Sequence, residues 1–437
     1  MKKTVIALGL LLGFSVIVVS CGGGSSSSTQ QKASGLRYRA FVSNSLFSSG
    51  VTSSPVLNIV NAINDQLSPS FVSLLGTVAQ AQQMAVSADL HYTMVFSLLS
   101  QSIAIVDNTT ETTATVAGGT TVIPAIILPG ITESMFIAKD NTTGYIAIPS
   151  APVTGDPNGA VVQISLASGT ITATIPVAAA HFIVPSPDGT RILVFSDNSD
   201  SITMISTGAI GSGQDPRTVI TGNAQNHFDR PVWAIFTGTS SAEIFNCGPE
   251  CGGTVAGISP YTLGNSAPGT MLALGASTYG LLDGSTLYVA GTPPNTPCGA
   301  GTAAKTCGVL NIVDLGSMRR TAGPFLIPDG FHDRMAMGSL GQLFIGSHTC
   351  TSINEIGGEV RGCLAIFNTK NSQVIVPPQS GDATGMQPIP GRNVVYVCEG
   401  GAFTIYDTST DKQLVQAFVT DIVGQSFDVK LVDPPLN

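Results

Sequence analysis

The chain has 437 residues, of which only 10% are charged, and it carries a formal net charge of −9. Its 49 glycines and 26 prolines favour short buried strands joined by turns, and the scarcity of charge argues against amphipathic surface helices. The acidic balance argues against nucleic acid or an anionic lipid surface as a partner of the folded part. A chain of this length is either two or three ordinary domains or one closed array of repeats.

Residues 1–20 are predicted to be a signal peptide. Two lysines precede an apolar run over 5–19, which is too short for a membrane-spanning helix. The run ends in Val-Val-Ser followed by Cys21, and this ending resembles the lipobox of bacterial lipoproteins, whose cysteine is acylated and becomes the new N-terminus. The resemblance implies a lipid anchor at Cys21. The alternative is an ordinary secretory leader with a chance cysteine.

Residues 21–35 carry the lipid site and a stretch rich in Gly, Ser and Gln, a composition typical of a flexible tether. The folded domain is therefore expected over 36–437, held at the bacterial cell envelope by the lipid. Gly22 follows the cysteine, where aspartate is associated with inner-membrane retention in enteric bacteria. The outer membrane is therefore the favoured location, with the domain facing the periplasm or the cell surface.

A repeating pattern of short strands follows the tether. It is clearest over 180–222, where apolar runs rich in Ile, Val, Thr and Phe are separated by turns, as in an antiparallel meander. Similar strands recur roughly every 50 residues, as in an array of blade-sized repeats. These second strands of eight repeats lie at 39–45, 93–99, 144–150, 191–197, 242–248, 286–292, 342–348 and 394–400. Each is followed by a third strand of the same kind.

Inner strands precede all but the first of these second strands. They are predicted at 82–88, 133–139, 181–187, 231–237, 277–283, 333–339 and 384–390. A further strand at 426–433 has no partner in sequence, and we expect it to complete the first repeat and close the ring. The pattern predicts an all-β, eight-bladed β-propeller, and a seven-bladed ring is the alternative.

The repeats are similar to those of YVTN-type propellers, in which a strand like Tyr-Val-Thr-Asn is followed by one like Ile-x-Val-Ile-Asp. Matching stretches are LYVAGT at 287–292 with LNIVDL at 310–315, and VYVCEG at 395–400 with FTIYDTSTDK at 403–412. The first repeat has AFVSNS at 40–45 with LNIVNA. Several blades depart from the pattern through long inserts or a missing Asp. The resemblance implies the propeller fold and says little about activity.

The long inserts fall between second and third strands, at 151–159, 247–253, 292–308 and 348–362. These connections should all lie on one face of the ring, where loops on a rigid scaffold commonly form recognition sites. The alternative is neutral drift of loop length on an exposed surface.

Six of the seven cysteines after the predicted lipid site form pairs within single loops. The pairs are Cys247 with Cys251, Cys298 with Cys307, and Cys350 with Cys363. An exported protein meets an oxidising compartment, where polar loops are stabilised by disulfides. We predict three local disulfides, and we predict that Cys398, on an apolar strand, is a buried free thiol.

No catalytic or metal motif is found in the sequence. G-x-S-x-G, H-E-x-x-H and the P-loop are absent, and no cysteine pair has metal-site spacing. The acidic turn at 196–201 fits a tight hairpin without calcium. One tryptophan and five histidines argue against quinone, haem and copper propellers. We therefore predict no catalytic residue, no metal and no cofactor.

Two blades carry a His-x-Asp-Arg or His-Asp-Arg cluster where the inner strand begins, and a third carries a histidine there. The candidate ligand-binding residues are His181, His227, Asp229, Arg230, His332, Asp333 and Arg334. Arginine and histidine beside carboxylates at a channel mouth would bind a small polar or anionic ligand. Binding should then weaken as the histidines lose protons at a pH of about 6 to 7. The alternative is that these charges form salt bridges between blades.

Together these patterns predict a monomeric, lipid-anchored binding protein or protein-interaction scaffold without enzymatic activity. Its partner would be a protein or a small polar ligand at the long-loop face. The alternative is a hydrolase of lactonase type, because lactonases include propellers that resemble this repeat. An enzyme would gather carboxylates and a histidine at one mouth, whereas a scaffold would present a broad loop surface.

Overall fold

The computed structural model describes residues 33–44, 55–74, 76–298, 306–354, 359–414, 422 and 424–436. Within these ranges the chain is all-β, with eight antiparallel blades around a central channel. The predicted eight-bladed propeller is confirmed. No helix in the described ranges is long and apolar enough to cross a membrane. The predicted signal peptide and Cys21 lie outside the described residues.

Blades 1 to 4 come from the first half of the chain, with strands given from the channel outward. Blade 1 contains Ser426–Leu431, Arg39–Asn44, Val56–Asn61 and Gln66–Ser73. Blade 2 contains Met84–Val86, Tyr92–Ser97, Ser102–Asp107 and Thr112–Thr113, with Ile126–Ile127 beside the third strand. Blade 3 contains Ser134–Ile137, Thr143–Ile148, Ala160–Ser165 and Thr170–Pro176. Blade 4 contains Ala180–Pro185, Arg191–Ser196, Ile202–Ser206 and Arg217–Ile220, with the 3-10 helix Thr207–Ala209 before its last strand.

Blades 5 to 8 carry the disulfide loops. Blade 5 contains Pro231–Phe236, Ser241–Asn246, Gly257–Thr262 and Leu272–Ala273, with the 3-10 helix Gly248–Cys251. Blade 6 contains Tyr279–Asp283, Thr286–Gly291, Gly308–Asp314 and Arg319–Ile327. Blade 7 contains Phe331–Met337, Gln342–His348, Ala365–Asn368 and Gln373–Ile375, and its insert pairs Ile353–Asn354 with Val360–Arg361. Blade 8 contains Ala383–Pro388, Val394–Glu399, Ala402–Asp407 and Lys412–Gln413.

Second strands are mostly apolar because both of their faces are buried. In Thr143–Ile148, Tyr145 and Ala147 pack toward blade 4, whereas Ile146 and Ile148 pack toward blade 2. Side chains alternate across a strand, so such a strand forms two interfaces at once. The described residues accordingly form a hydrophobic cluster at each of the eight seams between neighbouring blades.

The C-terminal strand closes the ring, as predicted. Ser426–Leu431 pairs antiparallel with Arg39–Asn44, so that the last strand becomes the inner strand of blade 1. The Arg39 guanidinium donates to both carboxylate oxygens of Asp433, at 2.7 and 2.8 Å. It also donates to Glu111 of blade 2 at 2.7 Å. The Arg39 side chain therefore links the first strand of the chain to the segment after the last strand, and links both to blade 2.

The channel mouth and the long connections share one face of the ring. Phe331 lies opposite His348 and Pro231 opposite Asn246, so each inner strand begins where its second strand ends. The long connections follow these second-strand ends, and we call this side the loop face. Arg39 is the first residue of the second strand of blade 1, and it lies at the opposite face. The described chain therefore enters the ring on the side away from the loops.

Candidate functional site

The central channel contains a cavity of about 530 Å³ that is lined by the inner strands of all eight blades. Part of its wall is aromatic. Phe182 and Phe331 are nearly parallel, with ring centroids 6.0 Å apart. Trp233 meets Phe182 edge-on at 6.1 Å, and Tyr279 lies 5.0 Å from Trp233. These four rings from blades 4 to 7, which we call the aromatic wall, offer apolar surface to the ring or hydrocarbon part of a ligand.

Arg334 is a cation of the channel with unused donors. A bulge in strand Phe331–Met337 turns Asp333 and Arg334 toward the cavity. Arg334 donates from Nε to Asp333 Oδ1 at 2.9 Å and from Nη2 to Oδ2 at 2.6 Å. Its Nη1 has no acceptor among the described residues, so both N–H groups of Nη1 remain for a ligand.

His348 stands beside this pair at the end of the second strand of blade 7. Its Nδ1 lies 3.1 Å from Asp333 Oδ2, and its ring lies 5.3 Å from Phe331. Burial lowers the pKa of His348, but the hydrogen bond and charge of Asp333 outweigh it and raise the pKa above its ordinary value. Burial also opposes ionisation of Asp333, yet Arg334 and His348 hold the pKa of its carboxyl far below the usual range. The site thus holds a permanent carboxylate, a permanent cation and a titratable donor.

Lys430 supplies a second cation from the C-terminal strand. Its ammonium donates to Asp428 Oδ1 at 3.0 Å, which uses one of three hydrogens. Asp428 is buried and also accepts the Val429 and Met84 N–H groups, at 2.8 and 2.9 Å. The carboxylate therefore already accepts three hydrogen bonds, while the ammonium retains two hydrogens and lines the cavity.

His181 is held between two carboxylates at the mouth. Its Nδ1 lies 2.6 Å from Asp197 Oδ1 and its Nε2 lies 3.1 Å from Glu133 Oε2. Burial lowers the pKa of His181, but the two carboxylates outweigh burial and raise it to about 9. The ring is charged at neutral pH with both N–H groups engaged. His181 therefore ties blade 4 to blade 3 and offers no free donor.

A smaller cavity of about 320 Å³ opens beside the channel between blades 4 and 5, and we call it the side cleft. Its lining includes Arg230, His181 and Asp197, and it shares Phe182, Val232 and Phe331 with the channel. Arg230 Nε lies 3.7 Å from Asp200 Oδ1 of blade 4, which is an inter-blade ion pair of the kind expected as the alternative.

The structure therefore separates the predicted ligand-binding residues. Asp333 and Arg334 line the channel, whereas His181 and Arg230 line the side cleft. The other three lie elsewhere, and they are His227, Asp229 and His332. Each of these three has a different environment.

His227 is exposed and does not line the channel cavity or the side cleft. Asp229 is buried, and its carboxylate accepts the Thr254 and Val255 N–H groups and so fixes the end of a disulfide loop. His332 is 1% exposed and does not line the cavity. Burial lowers its pKa to about 4, so it is a neutral core residue at physiological pH.

All three predicted disulfides are present, with Cα–Cα distances of 5.6 Å for Cys247–Cys251, 5.1 Å for Cys298–Cys307 and 5.9 Å for Cys350–Cys363. Cys398 is free and buried, as predicted. Among the described residues, Cys350 and Cys363 lie close enough to Asp382 to suggest a metal site. Because both sulfurs are joined to each other, they are not available as thiolate ligands.

Sequence reasoning missed His348, Lys430 and the aromatic wall. His348 ends a second strand that otherwise looks like its seven counterparts, and Lys430 lies in a strand singled out only for closing the ring. A polar residue at the loop-face end of a buried strand was the available signal for His348. The channel position of Lys430 follows from the register of Ser426–Leu431, which the sequence does not specify.

No protein-family model matches this sequence, and no curated protein matches it. Several solved structures share the fold. Dihydro-heme d1 dehydrogenase NirN, in complex with DHE, is 11% identical over 91% of this chain and 75% of that one, with a TM-score of 0.57. Kuenenia stuttgartiensis hydrazine synthase is 15% identical over 76% and 96%, with a TM-score of 0.50. A structure titled as the eukaryotic initiation factor is 11% identical over 92% and 100%, with a TM-score of 0.50.

Fold and channel together define the chain as an eight-bladed β-propeller with a central cavity lined by charged and aromatic side chains. The similar structures have unrelated names and low identities, so they support the architecture alone.

Proposed function

We propose that this chain is a lipid-anchored binding protein of the bacterial cell envelope whose central channel takes a small organic anion with an apolar ring. The observation that carries the proposal is the unused Nη1 of Arg334 inside a cavity walled by aromatic rings. Lys430 adds donors that line the same cavity, and His348 adds a titratable charge through its hydrogen bond to Asp333, which lines the cavity. A carboxylate would accept hydrogen bonds from these cations while its ring packs on the aromatic wall.

The hydrolase alternative finds less support in the same geometry. Glu133 pairs with His181, Asp333 with Arg334, and Asp428 with Lys430. A carboxylate held by a cation is a weak base, and a histidine with a pKa of about 9 is charged rather than basic at neutral pH. The channel therefore favours binding over general-base hydrolysis.

The test is calorimetric titration of the full chain, purified in detergent, with benzoate, cyclohexanecarboxylate and neutral benzamide. Both acids should bind and benzamide should not. Arg334→Gln should weaken acid binding about 10-fold or more, since a hydrogen bond to a charged group contributes about 1.5–3 kcal/mol. Arg319→Gln, on an exposed outer strand, is the matched control. Equal binding of benzamide, or turnover of simple lactones that Arg334→Gln abolishes, would contradict the proposal.

Anchoring is tested separately by metabolic labelling with a tagged fatty acid. Label should appear on the native chain and be lost in Cys21→Ala, which should leave the membrane fraction. The described chain enters the ring opposite the loop face, so a tether preceding it would join the domain on the side away from the channel mouth.

A further inference from the structure

Resting on the proposed function, we infer that the ligand is an elongated dianion whose second anionic group binds Arg230 in the side cleft. The channel and the side cleft adjoin. Phe182, Val232 and Phe331 line both of them, so a molecule lying against these side chains reaches into both spaces. The chemical class is a dicarboxylate with a ring or chain of rings between its acid groups.

Arg230 has a restrained backbone and a guanidinium that could accept a ligand as its hydrogen-bond partner. Its backbone has φ of 56°, a left-handed conformation that is rare for residues other than glycine. The Arg230 N–H donates to Asp200 Oδ1 at 3.1 Å, which holds the backbone in place. Backbone held in such a conformation by a neighbouring blade is common at ligand sites.

The guanidinium itself is poorly satisfied. Arg230 Nε is buried and has no hydrogen-bond partner among the described residues, because Asp200 Oδ1 lies 3.7 Å away. Asp200 is itself mostly exposed, with 62% of its side chain accessible. Buried donors without acceptors are uncommon in folded proteins, and an absent ligand group is one explanation for them.

The other charges of the cleft are already matched. Asp197 accepts a hydrogen bond from His181, whose second nitrogen is bonded to Glu133. No carboxylate competes for the Arg230 guanidinium at hydrogen-bond distance within the described part of the chain. An incoming carboxylate would therefore gain a cation in the cleft without displacing an existing bond.

The aromatic rings that lie between Arg230 and Arg334 favour a ligand whose central part is a planar ring. Phe182 and Phe331 are parallel to within 5° and belong to both cavities. Arg334 lies on the channel side of these rings and Arg230 on the cleft side. A planar ring packed along them would carry one acid group toward each arginine.

The test is calorimetric titration of the full chain with biphenyl-4,4′-dicarboxylate and, as the matched monoacid, biphenyl-4-carboxylate. The diacid should bind about tenfold or more tightly, with one molecule per chain, because it gains a second charge-assisted contact. In Arg230→Gln the ratio of the two affinities should fall to about one, and Arg230→Lys should restore part of it. Thermal unfolding of each variant checks that it folds, and Arg319→Gln serves as the control.

Different failures are distinguishable. If the monoacid binds through Arg334 but the diacid gains nothing, or if Arg230→Gln leaves their ratio unchanged, the dianion inference is wrong and the proposed function stands. Two monoacids bound per chain with no advantage for the diacid would also overturn it, because the cleft would then take a separate ligand. If neither acid binds, the proposed function fails as well.

Discussion

Glu243 is a buried acid of blade 5 whose ionisation opposes folding. It is 7% exposed, and its Oε2 has no hydrogen-bond partner among the described residues. Burial raises the pKa of its carboxyl from 4.5 to about 7. Between these two pH values the folded chain keeps a proton that the unfolded chain has lost. The free energy of unfolding should therefore fall as pH rises from about 4.5 to about 7, and this contribution should be constant below that window.

Glu243→Gln should remove this dependence. Each unit of pKa corresponds to about 1.4 kcal/mol, so we expect the variant to be more stable than the native chain by about 1–3 kcal/mol at pH 7.5 and nearly equal to it at pH 4. Urea unfolding at the two pH values provides the measurement, and Asp283→Asn, at an exposed position, provides the control. If the native chain and the Glu243→Gln variant gave parallel curves of stability against pH, the carboxyl would not be buried as described.

His348 should make anion binding in the channel depend on pH. Its pKa is raised by Asp333, so it is protonated at and somewhat above its ordinary value of 6.5. As pH rises through that range, Nε2 loses its proton and the site loses a positive charge. His181, with a pKa of about 9, adds a second loss near pH 9. The pH range over which binding weakens therefore lies higher than the 6 to 7 expected from the sequence, because carboxylates raise the pKa values of His348 and His181. The expected contributors do not act here, since His332 is neutral and His227 does not line the channel.

Titration of benzoate into the chain between pH 6 and pH 10 should therefore show a dissociation constant that rises with pH. His348→Gln should flatten the lower part of that rise, while His91→Gln, in a half-buried turn that does not line the channel, should not change it. A binding constant independent of pH in the native chain would remove both histidines from the site.

The disulfide loops belong to the scale of elements, since each bridge closes one connection on one blade. Peptide mapping without reductant should recover Cys247 with Cys251, Cys298 with Cys307, and Cys350 with Cys363. Cys398 is fully buried, and burial raises the pKa of its thiol well above the ordinary value. Among the cysteines after Cys21, a maleimide should therefore label only Cys398, and only after denaturation. Labelling of the native fold would show that blade 8 opens.

The C-terminal strand is an element on which the whole ring depends. Removing 424–437 would delete the inner strand of blade 1 and its pairing with Arg39–Asn44. It would also delete Lys430 and leave Arg39 without Asp433. We expect loss of the cooperative thermal transition, whereas Asp433→Asn, which keeps the strand, should lower the melting temperature by only a few degrees. A truncated chain that melts like the native one would show that the strand is dispensable.

How well each strand could be predicted from the sequence depends on how much of it is buried. Second and third strands are buried on both faces, so they appear as continuous apolar runs, and the eight repeats could be located from them. Outer strands face solvent on one side and are often two residues long, as in Thr112–Thr113 and Lys412–Gln413. Such strands carry too little pattern to be predicted, because their pairing depends on the third strand beside them.

At the scale of the whole molecule, the channel site depends on parts of the chain that are far apart in sequence. Arg334 could be predicted, because a charged cluster stood where an inner strand begins. That Arg334 lines the cavity and His332 does not could not be predicted. The difference comes from the bulge that turns Asp333 and Arg334 toward the cavity, and this bulge arises in the pairing with the second strand of blade 7. Lys430 joins Arg334 at the cavity only because the ring closes. Local sequence patterns thus predict the blades, whereas the channel site forms only when inner strands from different blades meet.

Ring closure also constrains how the protein is made. Arg39 and Asp433 are 394 residues apart, so the contact that completes blade 1 joins nearly the first and last described residues. A chain synthesised from its N-terminus presents Arg39–Asn44 long before Ser426–Leu431 emerges from the ribosome. Bringing such distant segments together is entropically slow, and until then the edge of blade 1 is open to pairing with another chain. The ring can therefore close only after the last strand has been synthesised, however early the individual blades fold.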